Sequence, residues 1–521
     1  MTSGDQPPQL APTVDTGGGS LGEDLGRRAG SALLWGQLAK VAEIALTTAF
    51  GVLALRALQP TRFGTYSVLT NLALVGSLAV PVATSDALGA ILPRFRRRDE
   101  RLRLLFVFGG IRTATLLVIL ASLLAGWNVV RSLIGLDAVS RDVFLVGAAY
   151  WLAFDVLNTL AGFFLANLQA RPVAAWRSTG LAVALATLIA LIASGRVSVV
   201  AVLATVAGGY AIGFAGLLLR LRPVQPASSI DPELMRGAWR STFGIWLAVV
   251  LSAALGTQLD ALLVAGVTGR PRQVAFFAGA LGIVGRAQLL LLAGWSTSII
   301  PALSEAFVRG GEAGLRRAWG LFAQIWLLAA VPMNAFLCVL GPALVQVVFG
   351  DSYRPVGGLL QWLAILNLAF AFGGGTLGGV ALWVLDRQAV VVRVRAGTAV
   401  LHVGLAVVLI YWLAALGAVV ASGVALAVTA IVELFFAHRI ARIKLPIEFA
   451  VRVAIATSIA AAAAALVPGA AVVRLVAGAC LAVVLLVAGL FVLRPFARND
   501  LELLGRISPR LGGSPLRRLA R

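Results

Sequence analysis

The chain has 521 residues, of which 60% are hydrophobic and only 12% charged, and its mean hydropathy is +0.94. Soluble domains carry about one-quarter charged residues, so this composition excludes an ordinary soluble protein and points to an integral membrane protein. The formal net charge is +21. It does not indicate nucleic-acid binding, because the basic residues lie in short joints between apolar runs, where they set membrane orientation.

The opening stretch "MTSGDQPPQLAPTVDTGGGSLGEDLG" is rich in Gly, Pro, Thr and Asp and has no apolar core. Residues 1–30 therefore read as a disordered cytoplasmic tail and not as a cleavable signal peptide. A helical span needs about 20 mainly apolar residues. Runs of that kind are predicted near 31–55, 66–92, 104–126, 143–168, 178–195, 197–219, 242–267, 274–300, 319–340, 356–385, 394–413, 416–437, 450–467 and 473–493. The expected fold is thus an all-α integral membrane protein of about 14 transmembrane helices. Its expected parts are a six-helix lobe at 31–222, a cytoplasmic linker at 223–240 and a second six-helix lobe at 241–440. Two additional helices at 441–495 and a basic cytoplasmic tail at 496–521 complete it.

Most Lys and Arg residues fall on one side of this alternation, chiefly in "RFRRRDERLR" (94–103), "HRIARIKLP" (438–446) and the C-terminal stretch. The positive-inside rule then puts both termini in the cytoplasm of a multi-pass protein of the inner (plasma) membrane. Residues 499–521 either lie on the anionic leaflet or form a solvated tail. An internal echo marks the start of each lobe: "LQPTRFGTYSVL" (58–69) overlays "TGRPRQVAFFAGAL" (268–281), with Pro60 on Pro271 and Tyr66 on Phe277. Two related lobes facing a midplane cavity are a recurrent transporter plan.

Cys338 and Cys480 both lie in apolar runs, without the spacing of a disulfide framework or a metal site. His402 and His438 are isolated and read as bundle positions. No metal-ligand cluster, phosphate-binding Gly loop or nucleophile motif is present, and the joints are too short for a catalytic domain. No cofactor, no metal and no enzymatic activity are expected.

Ionisable residues inside spans cost roughly 2.5–3.5 kcal/mol each at a helix centre, so each needs a partner or a wet cavity. Lys40 and Glu43 are one helical turn apart and can pair. Asp86, Arg112, Asp155 and Asn158, Gln258 and Asp260, Arg286, Asn334, Asn367 and Glu433 fall in later spans. Arginine cannot shed its charge, which makes Arg112 and Arg286 the strongest candidates for function. The acids are either coupling-ion ligands or counter-ions. Trp35, Trp151, Trp246 and Trp295 either stack on sugar or pack and anchor. The glycine-rich "AFGGGTLGGV" (371–380) is either a hinge or a close-packing surface.

Four stretches resemble one known family. "LRALQPTRFGTYSVL" (55–69) is similar to its first motif, and "LDALLVAGVTGRPRQVAFFAGALGI" (259–283) to its seventh-helix segment. "PALSEAFVRGGEAGLRRAW" (301–319) resembles its cytoplasmic loop after the eighth helix, and "ALVQVVFGDSYRPV" (343–356) its following external loop. On these residues, spread over 30–440, the chain resembles the oligosaccharide flippases of the multidrug/oligosaccharidyl-lipid/polysaccharide exporter superfamily. It departs from them at Gln59, where Gly is usual, and at Ala275–Phe276–Phe277, where Gly-x-Tyr is usual, which leaves the subfamily open.

The resemblance implies a two-lobed bundle working by alternating access, often coupled to H+ or Na+. It implies a polyprenyl-pyrophosphate-linked saccharide as cargo, with a glycan polymerase and glycosyltransferases as partners in the pathway. A pyrophosphate head would suit a cavity bearing Lys40, Arg112 and Arg286, with Arg56 near its outer mouth. Asp260, Asp155, Glu43 and Asp86 are then the candidates for a coupling ion or for counter-ions. A drug or cation antiporter, a peptidoglycan-precursor flippase and a membrane glycosyltransferase are the competing readings.

Overall fold

The computed structural model describes residues 19–78, 97–134, 139–167, 169–221, 257–292 and 296–495, with a few short stretches and single positions between 80 and 95 and between 233 and 250. All regular elements among them are helical. The expectations for residues 1–18, for Asp86, for most of the linker 223–240 and for the tail 496–521 lie outside the described residues.

The first helix, α1, spans Gly19–Leu78 and is bent at Gln59. It starts inside the segment read from composition as a tail, because Leu21 to Arg28 supply helix-favouring Leu, Glu and Arg beyond the last helix-breaking proline, Pro12. Its apolar part, Lys40–Leu78, is 39 residues long. Kept straight, it would reach about 58 Å, twice the ~30 Å hydrocarbon thickness. The turn at Gln59 resolves this by making two arms, the first two predicted spans. Pro60 follows the turn, where a missing N–H costs nothing at the start of a helix.

The rest of the first lobe is α2 (Arg98–Ala125), the short α3 (Trp127–Leu133), α4 (Arg141–Ala166), α5 (Ala170–Ala193) and α6 (Val199–Leu218). The second lobe holds α7 (Thr257–Thr268), α8 (Pro271–Leu292), α9 (Ser296–Phe349), α10 (Arg354–Phe372), α11 (Leu377–Val384), α12 (Gln388–Leu413) and α13 (Ala415–Ala441). The last two helices, α14 (Ile447–Ala465) and α15 (Ala471–Leu493), pair with each other and pack against α9. Eleven helical segments among the described residues are long and apolar enough to cross a membrane, so the chain is a multi-pass membrane protein.

One predicted loop and one predicted span turn out differently. Residues 301–319 are helical, and α9 runs through them with one bend at Gly311, whose φ is 57°. The predicted span 356–385 is interrupted, because Gly374 (φ 84°) and Gly375 (φ 57°) take left-handed backbone between α10 and α11. Glycines of the same run also pack closely. A Cβ at Gly375 would stand 2.8 Å from the Trp326 indole, and one at Gly373 would stand 3.0 Å from Ala430 Cβ. The break and the close packing therefore occur together.

The apolar core is organised by depth. At the end of the bundle that carries the Gln59 turn, one cluster runs through both lobes, joining Leu55, Leu58, Val68 and Phe144 to Val264, Phe277, Val356 and Ala415. At the opposite end the described residues form two separate clusters. One is built on Leu104, Phe108, Phe163 and Leu217 of the first lobe. The other is built on Leu303, Trp319, Leu382 and Ala437 of the second. Among the described residues the core is thus continuous at the Gln59 end, the closed end, and divided at the other, the split end.

Several contacts seal the closed end. Arg56 donates from Nε to the Val348 carbonyl and from Nη2 to the Val347 carbonyl, each at 2.5 Å, at the C-terminus of α9. Tyr353, fully buried, donates its hydroxyl to the Leu55 carbonyl at 2.9 Å. Gly64 lies directly against the Pro271 carbonyl, leaving no room for a Cβ.

Gln59 has φ 60° and ψ 164°, backbone that only glycine adopts without strain. Relief of that strain, less the added chain entropy of glycine, should make Gln59→Gly more stable by about 1 kcal/mol. A higher thermal midpoint of the detergent-solubilised protein checks this.

Candidate functional site

At mid-depth, where the shared core ends, a cavity of ≈ 280 Å³ lies between the lobes. The first arm of α1 supplies Thr47, Phe50 and Gly51 to its wall, and the second arm supplies Tyr66, Ser67, Thr70 and Asn71. Tyr150 comes from α4, Tyr210 from α6, and Gly279, Gly282 and Arg286 from α8. Three of the five tyrosines in the chain therefore meet here. Tyr150 and Tyr210 have ring centroids 5.8 Å apart, and Phe154 stands 5.6 Å from Tyr210. Amphipathic rings of this kind give flat surfaces with a polar edge.

Arg286 is the cation of this cavity. Its Nη1 donates to the Gly282 carbonyl and its Nη2 to the Thr47 carbonyl, both at 3.2 Å. The second bond crosses from one lobe to the other. Glycine at positions 51 and 282 makes the groove for the guanidinium, since a Cβ at either would stand 2.9 Å from it. Among the described residues no carboxylate forms an ion pair with Arg286, and none lines the cavity. Carbonyl oxygens offset only part of the positive charge of this half-buried guanidinium.

The other cations named from sequence are spread along the bundle. Lys40 pairs with Glu43 at 3.5 Å, and Glu43 also accepts from Arg177 of α5 at 3.1 Å. Glu43 is one helical turn from Thr47, toward the split end, so this cluster lies between the cavity and that end. Arg56 is at the closed end, occupied with α9. By helical rise alone, Lys40 and Arg56 are about 24 Å apart.

Arg112 is placed with Asp155 and away from Lys40 and Arg286. Its Nε and Nη2 donate to the two carboxylate oxygens at 2.8 and 2.6 Å, a bidentate pair between α2 and α4. The remaining donors reach the Val80 and Ser77 carbonyls at 3.1 and 2.9 Å, near the end of α1. Both side chains are buried inside the first lobe, and neither lines the inter-lobe cavity. Four of the five N–H donors of this guanidinium are thus answered within the first lobe.

Asp260 meets a partner that the sequence left isolated. His402 Nε2 of α12 is 2.9 Å from its Oδ1, and both residues have no exposure. The same buried region includes Ser422 of α13. Three helices of the second lobe thus converge on one acid–imidazole pair. Glu433, also buried, pairs with Arg395 at 3.0 Å and packs against Gly379. Trp151 donates to Ser77 Oγ at 2.9 Å and Trp246 to the Leu78 carbonyl at 2.6 Å, so both are held by structural contacts.

The signal missed in the sequence was the cavity wall itself. Tyr150 and Tyr210 looked like ordinary span residues, and only the packing of α4 and α6 onto α1 brings them together with Tyr66. Arg177 lies near the start of its span, and its tie to Glu43 joins two helices far apart in the chain.

No protein-family model and no curated protein matches the sequence. Solved structures share its fold. The lipid II flippase MurJ in an inward closed conformation aligns with a TM-score of 0.72 at 10% identity, over 88% of this chain and 98% of that one. An inward-facing multidrug resistance MATE family transporter of the MOP superfamily gives 0.62 at 15% identity, over 77% and 94%. A MOP superfamily transporter from Pyrococcus furiosus Vc1, noted for the reverse polarity of its binding pocket, gives 0.50 at 14% identity, over 80% and 95%. The chain therefore has the fold of the MOP-superfamily transporters.

Breaking the buried Arg112–Asp155 pair should cost about 3–5 kcal/mol, because one charge is left without its partner. Asp155→Asn and Arg112→Ala should each lower the thermal midpoint sharply, and the double change Arg112→Met with Asp155→Leu should recover much of the loss.

Proposed function

We propose that this protein is a transporter that moves a polyprenyl-pyrophosphate-linked oligosaccharide from the cytoplasmic to the outer leaflet by alternating access, supplying cell-surface polysaccharide synthesis. The observation that carries this reading is Arg286, a cation without a carboxylate in an inter-lobe cavity. A pyrophosphate offers the oxygens its two amino groups require. The tyrosine rings give the saccharide surfaces to stack on and hydroxyls to bond. The Lys40–Glu43–Arg177 cluster lies between the cavity and the split end, where an anion entering from the basic, cytoplasmic side first meets positive charge.

A drug or cation antiporter is the weaker reading, because a cationic cargo would need acids in the cavity wall. A peptidoglycan precursor carries the same pyrophosphate and shares the chemistry of the main proposal. The two cargoes are separated by which lipid-linked saccharide accumulates when transport stops.

In the proposed cycle Arg286 holds the cargo while the lobes rock about the cavity, and the seal of Arg56, Tyr353 and Gly64 opens as the split end closes. Asp260 and His402 are the proposed coupling site. A buried carboxylate beside an imidazole can take or release one proton while the pair stays whole, which makes their helices respond to protonation.

Arg286→Ala should abolish export of the surface glycan, with normal protein levels in the membrane and accumulation of the lipid-linked unit inside. Arg286→Lys should retain part of the activity. Normal surface glycan in the alanine strain would refute an anionic cavity. Asp260→Asn should leave cargo binding intact and remove the response to a proton or sodium gradient in a reconstituted flipping assay. A gradient response equal to that of the unaltered protein would remove Asp260 from the coupling role.

A further inference from the structure

A second cavity, of ≈ 510 Å³, lies at the split end of the first lobe, where α2 begins, α4 meets α5 and α6 ends. Its polar wall bears Arg98, Arg101 and Arg220, and no carboxylate is among its lining residues. Arg101 is fixed in place, its Nε donating to the Phe95 carbonyl at 2.6 Å and its Nη1 to Asn167 Oδ1 at 2.8 Å. Arg98 and Arg220 are exposed, and neither has a hydrogen-bond or ion-pair partner among the described residues. Three guanidiniums around one concavity repel one another, and an anion between them relieves this.

The other wall is apolar, made by Leu102, Phe163 and Phe164. Next to the lining residues in the chain, Leu165 is 45%, Leu218 46% and Leu219 83% exposed. Leu165 and Leu218 lie on the apolar spans α4 and α6 and Leu219 directly follows α6, so exposed apolar side chains border the cavity rim. Inorganic phosphate would use the arginines and none of that surface. A phospholipid would use both.

We propose that this cavity binds an anionic phospholipid of the bilayer, with its phosphate on Arg98, Arg101 and Arg220 and its acyl chains along Leu218 and Leu219. Basic pockets between helices at the cytoplasmic face suit such headgroups. The second lobe supplies an internal contrast. A cavity there, ≈ 610 Å³ and lined by Arg309 and Arg317, also contains Glu305. Glu305 pairs with Arg309 at 2.5 Å, so the charge of that cavity is partly cancelled.

The test is native mass spectrometry of the full chain released from micelles holding equal phosphatidylglycerol and phosphatidylcholine. The unaltered protein should retain phosphatidylglycerol in preference. Arg98→Gln with Arg220→Gln should lower that preference by roughly tenfold or more, and Arg220→Gln alone by a smaller factor. Arg309→Gln with Arg317→Gln should leave it unchanged. Unaltered phosphatidylglycerol retention in the Arg98/Arg220 double variant would overturn the proposal. So would full displacement of the lipid by millimolar inorganic phosphate, which would make the site one for a free anion.

Discussion

The structure depends on an asymmetry in its apolar packing. One core crosses both lobes at the Gln59 end, and two separate cores serve them at the other. Inside a membrane, lipid tails solvate an apolar helix as well as a neighbouring helix does, so lobes stay together only where packing and hydrogen bonds are good. At the closed end that requirement is met by Gly64 against Pro271, by the buried Tyr353 hydroxyl and by Arg56 on the α9 carbonyls. At the split end the described apolar clusters belong to one lobe or the other. The mid-depth cavity is the place where the shared core stops.

The charges inside the spans divide along the same line. Arg112 with Asp155, Glu433 with Arg395 and Asp260 with His402 each lie within one lobe, in pairs that tie neighbouring helices together. Such pairs add little net stability over apolar residues, but losing one partner is costly. Arg286 differs by its position and its partners. It faces the gap between lobes and makes its contacts with backbone oxygens.

The all-helical membrane fold was legible because a residue composition this apolar leaves few alternatives, and the helices follow the apolar runs closely. The helical stretch 301–319 was not legible. Its charges and its Gly310–Gly311 pair resemble a loop, whereas α9 carries them on a helix bent at a single glycine. Arg286 could be singled out from one rule, the permanence of an arginine's charge in a span. Its relation to Lys40, Arg56 and Arg112 could not, because depth along a helix is visible in sequence but facing is not. His402 shows the same gap. An isolated histidine in an apolar run has many possible neighbours, and the partner it takes is set by how α12 packs on α7.

The hydrogen bond from Arg286 to the Thr47 carbonyl joins the two lobes through the same nitrogen that an anion would seek. A ligand that drew the guanidinium away from Thr47 would remove a tie between the lobes, and separation of the lobes would free the donor for a ligand. A ligand that took this donor from Thr47 would link occupancy of the cavity to the angle between the lobes, and by reciprocity each would bias the other to the same extent.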